Sequence, residues 1–273
     1  MFVARPFQGL PGECDLVAMR EFVAAATAPV TVSTGSTAGG NDDRSVMFCS
    51  LLPGAVPAIV RPDGEVWLGL QVMQSYRDPS RDLAAVLLAA LDAEPGTDLG
   101  LSEDPGEGPR MQDLMIGDAL EVTVHDGFDY WLAGVEDPDG TLASALEQAN
   151  GAISPSVRLS SVPAAYWADV STKEYLRWAM PHDEDRLLDA LARLHVAGED
   201  RLVDGARLVG MFRAHGLLAP VWDLDAGTGA AALERPAATF LAALDDALES
   251  GERLTAAERS ARAGLANRQL TLR

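Results

Sequence analysis

The sequence predicts an α+β protein made of two fused αβββαββα-like units, with mainly antiparallel sheets flanked by helices. Three observations predict it. Strand-like runs meet at short Gly-containing turns and read as hairpins, which favours antiparallel pairing. Apolar stripes at helical spacing recur between the hairpins. At 273 residues the chain exceeds most single domains, and the order of elements in the first half resembles that in the second. The division is expected between residues 1–139, an acidic unit, and 140–273, a unit with a basic C-terminal helix.

After a Gly- and Pro-rich lead-in, Asp15 is placed to cap a helix from Leu16 to about Ala26, with Leu16, Met19 and Val23 on one side. Residues 27–34 and 45–52 read as strands. The Pro62-Asp63-Gly64 turn between 58–61 and 65–73 is the strongest hairpin signal, because Asp-Gly tolerates the backbone of a primed turn. In the second arm Val66, Leu68, Leu70 and Val72 share a face and Trp67 points the other way. Asp78 then Pro79 starts a helix whose stripe is Leu83, Val86, Leu87, Ala90 and Leu91. Residues 92–113 hold seven acidic residues, four glycines and three prolines, the composition of a solvated connector. A third hairpin is expected over 119–125 and 128–135, around Asp126-Gly127, with Trp131 in its second arm. A short helix over 142–149 follows.

The second half predicts a strand at 157–162 and a hairpin of 165–170 with 174–180. Pro181 breaks its second arm, and His182 or Asp183 caps the next helix. In that helix Leu187, Leu188, Leu191 and Leu194 form the apolar stripe, Asp189 and Arg193 pair on the wet side, and Gly198 ends it. A further hairpin turns at Ala214-His215-Gly216 between 208–213 and 217–224. Pro236 opens a helix with Phe240, Leu241, Leu244 and Leu248 inward. Thr255 and Glu258 form a capping box for the last helix.

The net charge of −20 is uneven: residues 1–139 carry 7 Arg against 23 Asp and Glu, and residues 140–273 carry 14 Lys and Arg against 18. Such a balance disfavours nucleic acid and anionic membrane surfaces, both of which need clustered cations. Residues 251–273 reverse the sign, with five arginines against two glutamates, and fit either a partner-binding arm or a segment folded back on the acidic body. Cys14 and Cys49 are too few for a disulfide framework and read as small buried apolar residues. The longest apolar run, 83–91, is too short to span a bilayer and no targeting segment is visible, so a cytoplasmic protein is expected.

No motif in the sequence carries chemistry. His182, Asp183, Asp185 and His195 lack metal-ligand spacing, Gly227-Thr228-Gly229 lacks the Lys-Ser/Thr of a phosphate loop, and no carboxylate pair stands out among 41. No metal and no cofactor are therefore expected. If Leu176, Trp178 and Met180 face a core, Tyr175 and Arg177 face outward, where tyrosine and arginine are common anchors. With Arg213, His215 and Trp222 of the following hairpin, they are the residues assigned to binding.

The stretches Arg5-Pro6-Phe7-Gln8-Gly9-Leu10-Pro11-Gly12-Glu13-Cys14-Asp15, Asp78-Pro79-Ser80-Arg81-Asp82-Leu83 and Leu176-Arg177-Trp178-Ala179-Met180-Pro181-His182-Asp183-Glu184-Asp185 resemble an uncharacterised actinobacterial family of unknown function. The resemblance spans nearly the whole chain and implies no mechanism. The element order alone resembles type III secretion chaperone-like domains, which dock extended segments of a partner. The expectation is a non-enzymatic, chaperone-like protein, monomer or homodimer, that holds an extended protein segment in a groove between the units or on a sheet edge. The alternatives are a hydrolase or transferase whose site is assembled from separate segments, and an oligomeric scaffold.

Overall fold

The computed structural model describes residues 2–35, 43–132 and 140–270. They form an α+β fold of two compact units, residues 1–153 and 154–273.

The first unit contains α1 (Glu13–Glu21), β1 (Ala26–Ser33), β2 (Asp43–Cys49), β3 (Ala58–Val60), β4 (Val66–Gly69), α2 (Pro79–Leu91), β5 (Asp98–Leu99), α3 (Met111–Leu114), β6 (Met115–Ile116), β7 (Thr123–Val124) and α4 (Thr141–Asn150). Its sheet runs β5-β3-β4-β2-β1-β6, with β7 also paired to β1. All pairs are antiparallel except β2 with β4. The β3–β4 hairpin closes as expected, Gly64 at φ 87° donating its N–H to Arg61 O. Strand β4 is shorter than the predicted 65–73 arm. Val66, Trp67, Leu68 and Gly69 are buried on both faces, and a Cβ on Gly69 would stand 2.5 Å from Val56 O, so the strand is pressed against the preceding loop.

Three expectations for this unit are corrected. Helix α1 begins at Glu13, ahead of the expected Asp15 cap, because the bidentate Arg5–Glu13 pair (2.6 and 2.8 Å) holds its first turn; Asp15 lies inside the helix. The third hairpin is absent. Thr123–Val124 pairs with β1 instead, and Asp129–Leu132 is a 3₁₀ turn. Tyr130 and Trp131 both donate to Leu51 O, each at 3.0 Å, which neighbouring side chains on opposite faces of a strand do not do. Residues 133–135 of the expected second arm lie outside the described residues. The 92–113 segment is more than a connector: β5 pairs with β3, and the carbonyls of Pro105, Gly106, Glu107 and Pro109 surround the Arg81 guanidinium.

The second unit contains β8 (Ser156–Arg158), β9 (Ala165–Asp169), β10 (Glu174–Trp178), α5 (Glu184–Ala197), β11 (Arg207–Ala214), β12 (Leu217–Leu224), α6 (Glu234–Glu249) and α7 (Ala256–Ala266). Its sheet, β11-β12-β10-β9-β8, is wholly antiparallel. Asp183, rather than His182, caps α5 by accepting from the N–H groups of Asp185 and Arg186. All four leucines of the stripe are buried, in a core with Trp178, Trp222 and Phe240. The predicted Asp189–Arg193 pair does not form. Asp189 and Asp185 instead receive Arg262 of α7, each at 2.5 Å, and Arg193 reaches Glu252 O. The basic C-terminal helix thus folds back onto α5. Beyond it, Met211 N donates to Arg268 O and Leu270 N to Met211 O, so residues 268–270 line the outer edge of β11 beside Gly210.

Candidate functional site

The residues assigned to binding from sequence do not converge. Tyr175 and Arg177 occupy the face of β10 opposite Leu176 and Trp178, as alternation requires, and both are half-buried. Burial lowers the pKa of Arg177. Trp222 is 0% exposed on the helix-covered face, and its Nε1 donates to Asp200 O at 2.8 Å. Arg213 pairs with Glu184 and donates to Ala266 O, tying β11 to α5 and α7. His215 sits at φ 49° in the β11–β12 turn, followed by Gly216 at φ 79°. Trp222 and Arg213 are thus both engaged in contacts within the second unit. The edge of β11 next to them carries residues 268–270.

A cleft in the first unit has the character of a binding site. It encloses about 540 Å³ between the β3–β4 hairpin, the 129–132 turn and α4, with Ile59, Val60, Trp131, Leu132, Leu146 and Ala149 supplying apolar wall. Small-molecule sites are commonly concave, mainly apolar, and within roughly 300–1,000 Å³. The polar groups on its wall are Arg61, Asp98 and Gln148. Arg61 is 7% exposed; its guanidinium carbon stands 4.2 Å from the centroid of the Trp67 ring, and Nη1 donates to Trp131 O at 2.9 Å.

Sequence order explains this arrangement once the hairpin is known. Ile59, Arg61 and Trp67 share one face of the ladder, since Ile59 stands opposite Trp67 and Arg61 lies two residues along. Trp67 is fixed in turn by its Nε1 donating to Glu65 Oε2 at 2.8 Å. On the far wall Phe128 stacks on Trp131 at 4.3 Å, and Asn150 Oδ1 accepts from Phe128 N, joining the turn to the end of α4. Next to this wall, Thr27 Oγ1 and His125 Nε2 are 2.8 Å apart, and burial lowers the His125 pKa although Asp126 opposes it. The Tyr130 hydroxyl is raised above its usual range by the same loss of water.

A second concavity, at the start of α2, is lined by Arg77, Arg81 and Arg110 with Asp78, Asp82 and Asp104. Two of its three cations are already engaged: Arg110 pairs with Asp78 at 2.7 Å and donates to Pro6 O, and Arg81 is held by the 105–109 carbonyls, while the exposed Arg77 stands 3.9 Å from Asp104. Ser80 and Gln112 complete a polar network that joins the lead-in, α2 and α3. This concavity is a staple between segments. Among the described residues no three His, Cys, Asp or Glu side chains are grouped to hold a metal ion. Cys14 and Cys49 are both buried thiols, and burial pushes Cys14 up to about 12 and Cys49 higher still.

The motifs at 5–15 and 78–83 meet in that network, and a family model matches residues 6–273. The chain belongs to the family of unknown function DUF5926. Searches of the curated proteins and of the solved structures returned no match. In this DUF5926 protein no described helix is long and apolar enough to cross a membrane. Neither Arg61 nor the cleft was singled out from sequence. The signal was present in the alternation Ile59-Val60-Arg61 ahead of Pro62-Asp63-Gly64, which puts a cation on the Trp67 side of the hairpin.

Proposed function

We propose that this protein binds a small molecule with an apolar body in the cleft of its first unit. The observation that carries this reading is the concave apolar wall of Ile59, Trp131, Leu132 and Leu146 around a buried arginine. The size of the cavity favours a small molecule over a protein surface, since protein interfaces are broad and comparatively flat. The test uses the neutral dye N-phenyl-1-naphthylamine. The wild-type chain should bind it saturably with one site, and Ala149→Leu, which grows into the cleft from α4, should abolish binding while leaving the circular dichroism unchanged. Equal binding by the variant would place the site elsewhere. A second reading is addition of an extended protein segment to β8, an edge strand on which Val157 is 43% exposed. On that reading Val157→Lys, and not Ala149→Leu, removes partner capture.

A further inference from the structure

We infer that the ligand of this cleft is a monoanion, with a carboxylate-type head on Arg61 and its apolar body along Ile59, Trp131 and Leu146. This rests on the cleft reading and adds the ligand's charge and orientation to it.

A guanidinium stays charged at any ordinary pH and offers five N–H donors. Moving such a charge out of water is costly unless an anion or a full set of acceptors replaces the water. Arg61 has one hydrogen-bonded acceptor, Trp131 O, and one aromatic face, Trp67. No carboxylate among the described residues is in ion-pair contact with it, whereas Arg5, Arg110, Arg213 and Arg262 each hold an acid within 2.8 Å. In a chain with 41 carboxylates and 21 Lys and Arg, a cation that is 7% exposed and has no acid partner among the described residues stands out.

The unused donors of Arg61 are not sealed in the core. Among the described residues the only fully occluded side-chain polar atom without a partner is Ser50 Oγ. The remaining guanidinium N–H groups therefore retain access to solvent, and Arg61 is part of the cleft wall. Trp67 and Trp131 O hold the guanidinium from two directions, so little side-chain freedom is left to lose when an anion arrives. A carboxylate matches two parallel N–H donors of such a fork.

The rest of the wall restricts the ligand's charge. Asp98, exposed and opposite Ile59 in the β3–β5 register, places a carboxylate on the same cleft. One buried cation with one exposed anion accommodates a single negative charge better than a phosphate dianion. The apolar residues then require the remainder of the molecule to be hydrocarbon or aromatic.

The probes are 2-naphthoate, its neutral isostere 2-naphthamide, decanoate and decanamide, titrated into the full chain at pH 7.5 with tryptophan fluorescence and calorimetry. At least one acid should bind about tenfold or more tightly than its amide, the usual order for a charge-assisted bond lost in a dry site. In Arg61→Gln the acid should fall to the affinity of the amide, while Arg61→Lys should recover part of the preference. The wild-type comparison of acid with amide is independent of whether Arg61→Gln folds. Equal affinity of acid and amide, with both lost in Ala149→Leu, would overturn the charge assignment and leave the cleft reading standing. No saturable binding of any of the four probes up to millimolar concentration would overturn both, and binding that Ala149→Leu leaves unchanged would do the same.

Discussion

Glu174 offers the sharpest test of how the second unit is held together. It is 5% exposed on β10, and its carboxylate accepts from Gly227 N (2.5 Å), Gly229 N (2.8 Å) and Trp167 Nε1 (2.7 Å). Burial by itself raises its pKa, but these N–H donors outweigh it and hold the acid below its usual 4.5. In Glu174→Gln, the side-chain oxygen can replace Oε2 toward Gly229 and Trp167. The new NH₂ group then faces the N–H of Gly227, donor against donor. A hydrogen bond to a charged group contributes roughly 1.5–3 kcal/mol and one between neutral groups about 0.5–1.5, so two weakened bonds and one lost bond together cost about 5 kcal/mol. For a unit of this size that is on the order of a 20 °C fall in Tm. The assay is urea and thermal unfolding, with hydrogen exchange read at Gly227 and Gly229. Those amides should exchange faster in the variant even under conditions where β9 and β12 stay protected. Because the folded pKa lies below the unfolded one, the carboxylate stabilises above pH about 4.5 and this contribution is lost on acidification; the variant should lack that part of the acid sensitivity. A cost below about 0.5 kcal/mol, with unchanged exchange at Gly227 and Gly229, would refute the assignment of Glu174 as the clamp on this loop.

Other consequences are equally direct. Glu234 accepts from the N–H and hydroxyl of Ser160 and the N–H of Ser161, which overcome the upward effect of burial and bring its pKa to about 2. Ser160→Ala should raise that value in a carboxyl NMR titration. The same contacts should contribute about 1 kcal/mol after allowance for solvent, present above pH about 4.5 and lost between there and about 2. His125 has a folded pKa below its unfolded value, so stability should rise with pH from the folded value to about 6.5 and level off above it. His125→Gln should flatten that slope in chemical denaturation. A Cβ on Gly210 would stand 2.5 Å from Arg268 O. Gly210→Val should therefore detach residues 268–270 and speed exchange at Leu270 N, with the pairing of β11 to β12 kept; unchanged protection at Leu270 would count against the tail's docking.

Periodicity made much of the second unit legible. Its leucine helix, both long hairpins and the Thr255–Glu258 capping box depend on residues near one another in sequence. The first unit was less legible where distant groups compete for the backbone. Thr123 and Val124 have ordinary strand character, but their partner is β1, about a hundred residues earlier, and the carbonyl of Leu51 draws Tyr130 and Trp131 into a turn. Charge pairing was legible only as composition. Asp189 has Arg193 one helical turn away, yet its partner is Arg262, because tertiary packing supplies a guanidinium with better geometry than the local helix does.

By itself the chain's order of residues determined the α+β class, the placement of most helices and hairpins, and which faces would be apolar, since each follows from a spacing of two or of about 3.6 residues. Only the tertiary structure decided that Arg61 is a buried cation with no carboxylate in ion-pair contact among the described residues. A side chain's surroundings depend on which segments fold against it, and the wall of the cleft is drawn from β3, the 129–132 turn and α4, elements that no local spacing connects.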